Sequence, residues 1–220
     1  MVANFNMNFA ERVVIDTNAS EWVPSPLPGV DRRMLEREHE ESGRATSIVR
    51  YAPDSHFSPH VHGGGEEFLV LDGVFSDEHG DFGPGSYIRN PVGSKHRPFS
   101  TDGCTIFVKL WQMDADDQTW VRTDTKTTEW YPGLVPGLEV MPLHSYETEN
   151  VALVRWQAGC RFTPHIHPGG EEILVLDGTF EDDRGQYPVG TWLRNPAGSE
   201  HTPFTEQGCT IFVKTGHLPG

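Results

Sequence analysis

His60 and His62 stand two residues apart, Glu66 follows six residues after the first histidine, and His96 lies thirty-six after it. His165, His167, Glu171 and His201 repeat those types at the same spacings. Three neutral imidazoles and one carboxylate form a nitrogen-rich donor set. It suits Zn²⁺, Fe²⁺, Mn²⁺, Ni²⁺ or Cu²⁺ and serves Ca²⁺ and Mg²⁺ poorly. The expectation is a divalent transition metal at each of two sites, zinc first, with iron, nickel or manganese as the others. Four protein ligands close a tetrahedral zinc site or leave open positions on a six-coordinate iron. A lone H-x-H is more often an ordinary pair of surface or core histidines. Here all eight ligand types are retained, although 27 of 60 aligned positions differ between the copies.

Strands must position these groups. Alternate residues of a strand point to one side, so His60 and His62 face a common point while Val61 faces away. Gly63-Gly64-Gly65 lets the chain reverse before Glu66. Asn90-Pro91 and Gly93 form a turn leading to His96. Glu67 and Glu172 compete with their neighbours for the carboxylate role. Glu66 and Glu171 are preferred.

The repeat extends well beyond the ligands. Residues 50–109 and 155–214 align without gaps at 33 identical positions of 60, and weaker similarity continues upstream at an offset of 108. The unit is too long for a solenoid module and is the size of a domain. The chain therefore reads as two tandem domains, 1–116 and 117–220. Short apolar or alternating runs separated by Gly-, Pro- and Asn-rich turns predict an all-β sandwich or barrel. Val30–Glu41 alone has helical texture, and its counterpart carries Pro142, which argues against a helix common to both copies. Phe68-Leu69-Val70-Leu71 is apolar on both strand faces. The outer face needs cover from the sister domain or from a second copy in a homodimer.

The net charge is −15, shared as −8 and −7 between the halves. No basic tract is present, so a nucleic-acid backbone would be repelled. Three cysteines form no C-x-x-C pair and fit a reducing compartment. No basic segment followed by an apolar one opens the chain, and no run reaches the length of a membrane span. The expected address is the cytoplasm, with no membrane partner.

These motifs resemble the cupin superfamily, G-x₅-H-x-H-x₃₋₄-E-x₆-G followed by G-x₅-P-x-G-x₂-H. Gly159 to Gly178 fits the first motif throughout, while Asp54 replaces the leading glycine of the first copy. Both copies fit the second motif, although Ser100 and Thr205 stand where the superfamily carries asparagine. The resemblance implies two tandem double-stranded β-helix (jelly-roll) barrels. More narrowly, P-x-H-x-H-x-G-G-E-E-x-L-V-L-D-G and the later R-N-P and G-C-T-I-F-V-K segments resemble the cupin domain of ChrR-type anti-sigma factors. That likeness implies zinc held by His60, His62, Glu66 and His96, and by His165, His167, Glu171 and His201. The family's sigma-binding part carries H-x₃-C-x₂-C, which is absent from these 220 residues.

Three functions follow. The first is a metal-binding sensory or regulatory bicupin responding to a small ligand and acting on another protein. The second is an iron-dependent dioxygenase of diketones or hydroxylated aromatics, with Glu66 and Glu171 as candidate bases and Tyr87, Phe99, Trp192 and Phe204 as cavity or core aromatics. The third is structural metal alone. Arg89 and Arg194 are expected to bind an anion or pair with an acidic neighbour, and Cys104 and Cys209 to be buried thiols. Lys95 beside His96, against Glu200 beside His201, predicts weaker metal retention in the first half.

Overall fold

The computed structural model describes residues 4–219 and contains only strands, turns and loops among them. Two compact units are present, and they do not follow the division 1–116 and 117–220. Among the described residues, one consists of residues 4–7 with Glu21–Thr127; the other joins Asn8–Ser20 to residues 128–219. The reason lies in strand pairing. Val13–Asp16 adds antiparallel to Thr191–Asn195 of the second unit, and Val121–Asp124 adds to Ser86–Asn90 of the first. The repeat alignment makes those two edge strands counterparts, and each half of the chain lends its own to the other unit.

In the first unit a seven-stranded sheet runs in the order Val121–Asp124, Ser86–Asn90, Glu66–Gly73, Cys104–Leu110, Ala45–Tyr51, Val30–Arg37, Val23–Pro24. Its inner face buries Val49, Phe68, Val70, Ile88, Ile106 and Val108, with Phe57 packed from a loop and Phe75 from a smaller strand. Such apolar burial is the main stabilising term of a β core. The second unit repeats the order, from Val13–Asp16 through Thr191–Asn195, Glu171–Asp182, Cys209–Thr215, Glu149–Trp156 and Leu138–Tyr146 to Tyr131–Pro132.

Val30–Arg37 is a strand and not a helix, paired along its length with Ala45–Tyr51. Burial of its side chains against the sheet overrides a weak local preference. The register slips between Met34 and Glu36, and in the second unit between Pro142 and His144. Pro142 sits at that irregularity, the place in a sheet that tolerates a residue without an N–H. Asp54 adopts the left-handed backbone (φ 56°) that Gly159 adopts in the second copy (φ 77°). Aspartate is among the few non-glycine residues that enter that region at modest cost, so the motif survives the replacement.

Candidate metal centres

A two-stranded ladder builds the mouth of each site. His60–Val61 pairs with Lys95–His96, placing His60 opposite His96. His165–His167 pairs with Ser199–His201, placing His165 opposite His201. The glutamates arrive from the adjoining large sheet, as the first residues of Glu66–Gly73 and Glu171–Asp182. Within each group of three histidines the ligating nitrogens lie within 4.8 Å of one another.

The carboxylates close both constellations. Glu66 Oε2 lies 3.5 Å from Nε2 of His62 and 3.5 Å from Nε2 of His96. In the second unit Glu171 lies 3.3 Å from His167 Nε2 and 3.6 Å from His201 Nε2, and these two nitrogens are 3.1 Å apart. Donors about 3–4 Å apart are what one cation at about 2.0–2.2 Å from each requires. Nδ1 of His60 donates to the Ser58 carbonyl and Nδ1 of His165 to that of Thr163, which turns each Nε2 inward. Nε2 of His62 and His96 is buried without a hydrogen-bond partner among the described residues. A buried polar nitrogen left unpaired is costly, and a cation would satisfy both. The residues fit a divalent transition ion.

Glu67 and Glu172 point elsewhere. Glu67 accepts from Tyr87 Oη at 2.8 Å and pairs with Arg89, while Glu172 accepts from Trp192 Nε1 at 2.7 Å and meets His217 at 3.1 Å. Tyr87 and Trp192 are therefore engaged on the far side of the glutamate pair. Phe99 stacks on His56, and Phe204 lies under the Arg161 guanidinium. Arg89 is clamped between Glu67 and Asp117, an acidic pairing and not an anion site. Arg194 donates to the Asn8 carbonyl and lies over Phe9.

Groups the spacing could not reveal orient the ligands. Asn90 Nδ2 donates to Glu66 and Asn195 Nδ2 to Glu171, each at 2.9 Å. Each asparagine is held in turn by a guanidinium, Asn90 by Arg122 at 2.6 Å and Asn195 by Arg12 at 2.8 Å. Asp77 bonds Nδ1 of His96 at 3.0 Å. Such outer partners fix a ligand's orientation and raise its basicity. Ser100 and Thr205, in the place of the superfamily's asparagine, donate to the carbonyls of Val74 and Thr179 and tie neighbouring strands.

Electrostatics favour neutral imidazole at the deeper positions. Burial pulls His62 and His167 below the ordinary value, and the other imidazoles add to this against opposition from Glu66 and Glu171. Neutral imidazole is the ligating form. Burial also pulls His96 down, but the bond to Asp77 and the charges of Glu66, Asp77 and Glu78 outweigh it, and its pKa ends raised. The three thiols are free and buried. Burial pushes Cys104 to about 11 and Cys209 to about 12, leaving neither a reactive thiolate near neutrality.

One cavity opens on the second site. Its volume is about 340 Å³, with His165, His167 and Glu171 at one end and apolar walls that include Leu138, Val140 and Phe162. No helix among the described residues is long and apolar enough to cross a membrane.

The model of the ChrR cupin-like domain family matches residues 10–114 and again 118–219. Solved structures similar to this chain include a provisionally assigned dioxygenase from Nostoc punctiforme PCC 73102, at TM-score 0.80 and 18% identity over 95% of this chain and 84% of that one. Protein Ylba from E. coli matches at TM-score 0.73 and 15% identity, over 97% and 94%. A deletion mutant of Bacillus subtilis oxalate decarboxylase matches at TM-score 0.60 and 14% identity, over 98% and 78%. At these identities the likeness establishes the double-cupin fold alone. No curated protein matches the sequence. Two consecutive matches cover nearly all of the chain, and it belongs to the ChrR cupin-like domain family as a tandem pair of cupins.

Proposed function

We propose that this chain is a metal-binding bicupin with a regulatory, ligand-sensing role, each unit holding one divalent transition ion through three histidines and one glutamate. The observation that carries the reading is the pair of convergent quartets, each with its glutamate fixed by an asparagine. Zinc is the ion best matched to four closely set nitrogen and oxygen donors. A bound ion would supply Lewis-acid polarisation to a ligand oxygen. The protein's part is to hold His60 and His165 by backbone carbonyls, to keep His62 and His167 neutral by burial, and to aim Glu66 and Glu171. In this reading a protein partner would receive the signal.

The cavity on the second site favours one further reading, an iron-dependent dioxygenase acting on a small diketone or hydroxylated aromatic. Elemental analysis of protein purified without added metal separates the two, together with oxygen uptake on a 1,3-diketone panel after Fe²⁺ loading. Two zinc ions per chain and no uptake support the sensory reading. Iron with turnover would replace it by the enzyme, and protein holding no transition ion would overturn both.

A further inference from the structure

The chain carries a net charge of −15, and nearly all of its cations are engaged by neighbours. Of seventeen lysine and arginine side chains, three make no hydrogen bond, ion pair or ring contact among the described residues: Lys95, Arg97 and Lys126. Lys126 borders a groove beside Asp81 and Asp124. Lys95 and Arg97 stand together instead. They flank buried His96, are both exposed, and as alternate residues of an extended segment point to one side.

These two cations line a groove of about 560 Å³ with His56, Pro59, Glu78 and Phe99. His56 and Phe99 are opposite each other on paired strands, with stacked rings 5.8 Å apart. The groove thus sets two unpaired cations beside an aromatic wall. Glu78 is the one acid in it, and its carboxylate accepts from the Arg97 main-chain N–H at 2.8 Å. With histidine neutral the lining carries +1. The second unit has Arg161, Asp183, Glu200 and Thr202 at the places of His56, Glu78, Lys95 and Arg97, a charge of −1. Its one cation, Arg161, lies over Phe204 and 3.8 Å from Glu206.

Small-molecule sites enclose most of their ligand. Here every lining residue except the half-buried Phe99 is exposed, which suits a length of chain laid across the surface. A segment rich in carboxylates is repelled by most of this acidic molecule and attracted here, and such complementarity steers and orients a partner. We propose that the groove docks an acidic segment of a protein partner. Two of its carboxylates pair with Lys95 Nζ and the Arg97 guanidinium, and an apolar side chain beside them rests on Phe99 and His56. This names the partner's chemistry for the regulatory reading and rests on that reading for the partner's role.

Fluorescence anisotropy of the full-length protein tests this with a labelled peptide of about eight residues, aspartate and glutamate around one central phenylalanine. One control has asparagine and glutamine for the acids, and another has alanine for the phenylalanine. The acidic peptide binds, the amide peptide does not, and the alanine peptide binds about threefold more weakly. Raising the salt from about 0.05 M to about 0.3 M weakens the acidic peptide. Lys95→Glu combined with Arg97→Thr, which installs the residue types of the second unit, weakens it about tenfold or more. Lys126→Glu, which removes the other free cation, leaves it unchanged. Binding that survives the double variant, an equal loss in Lys126→Glu, or equal binding of the amide peptide would each overturn the proposal. So would sedimentation showing a dimer of this chain that the double variant breaks, since a second copy would then fill the groove. Elemental analysis of the same samples separates the two failures. Bound ions without peptide binding defeat the docking site alone, and peptide binding without ions defeats the metal-sensing reading alone.

Discussion

Residue 111 is a tryptophan and its counterpart, residue 216, is a glycine, yet both take the left-handed backbone, at φ 59° and 76°. In the first unit the Trp111 ring lies so close over Gly63 and Gly64 that a Cβ on either would fall within 3 Å of it. In the second unit Gly216 leaves a groove beside His167, bounded by Pro168, Gly169, Gly170 and Thr148. A left-handed tryptophan is an uncommon and strained choice. Ligands and the asparagines that aim them are the same in both copies; the residues that decide what can approach them have diverged. The geometry suited to a metal is what the pair shares, and the surroundings of that geometry are what distinguish its members.

The largest contrast should appear in stability. Arg89 is almost fully buried between Glu67 and Asp117, so Arg89→Ala removes the buried cation that two carboxylates share. The expected cost is about 3–5 kcal/mol in urea unfolding. Arg12, about a fifth exposed, joins Asn195, Asp182 and Tyr187 in the second unit. Arg12→Ala should cost about 1–3 kcal/mol, and equal losses would show that the two units are braced alike.

Next comes metal retention. Asn90→Ala should lower affinity at the first site, and Asn195→Ala at the second, by about 10- to 100-fold each, without touching the other. Chelator competition reads this, and an effect on both sites from either variant would contradict independent centres.

A subtler contrast lies one shell further out. Asp77 bonds His96 at 3.0 Å, while Asp182 stands 3.8 Å from His201 Nδ1 and is taken up by Tyr187, Arg12 and the Arg184 N–H. Burial raises Asp182, but His201, Tyr187, Arg184 and Arg12 outweigh it and hold its carboxyl at about 2. His96 thus has the firmer backing. Lys95 and Glu200 are exposed, and their charges are screened by salt. The second site should therefore release metal first, the reverse of the order their charges suggest. Asp77→Asn should weaken its site about tenfold and Asp182→Asn about threefold or less. Release from the first site first would restore the charge-based order.

The smallest effect is expected of the thiols. At pH 8 a thiol reagent should label none of Cys104, Cys160 and Cys209 in the native protein and all three in denaturant, because burial raises each pKa. Fast labelling of Cys104 alone would mean that the first unit opens more readily.

The histidine quartets were legible because strand periodicity fixes where alternate side chains point, and duplication wrote the pattern twice. Glu66 was preferred over Glu67 from the sequence, and what the spacing could not supply was the engagement of Glu67 by Tyr87 and Arg89 across the sheet. Asn90 and Asp77 were hidden because they reach the ligands across strands, 24 and 19 residues away. The strand Val30–Arg37 was obscured by a helix-like run of charges that only its neighbour's pairing overrules. Repeat alignment identified the two edge strands as counterparts and was silent on which sheet each would complete.

That last silence has a practical side. Val13–Asp16 serves the sheet built mainly from the later half of the chain, and Val121–Asp124 serves the earlier one. A gene divided where the text repeats would yield two polypeptides that each lack one of their own edges and carry one belonging to the other. Expressed singly they would bear raw sheet margins prone to adhesion; expressed together they would have to re-find each other, and the pair would behave as a single inheritance that cannot be split at its seam.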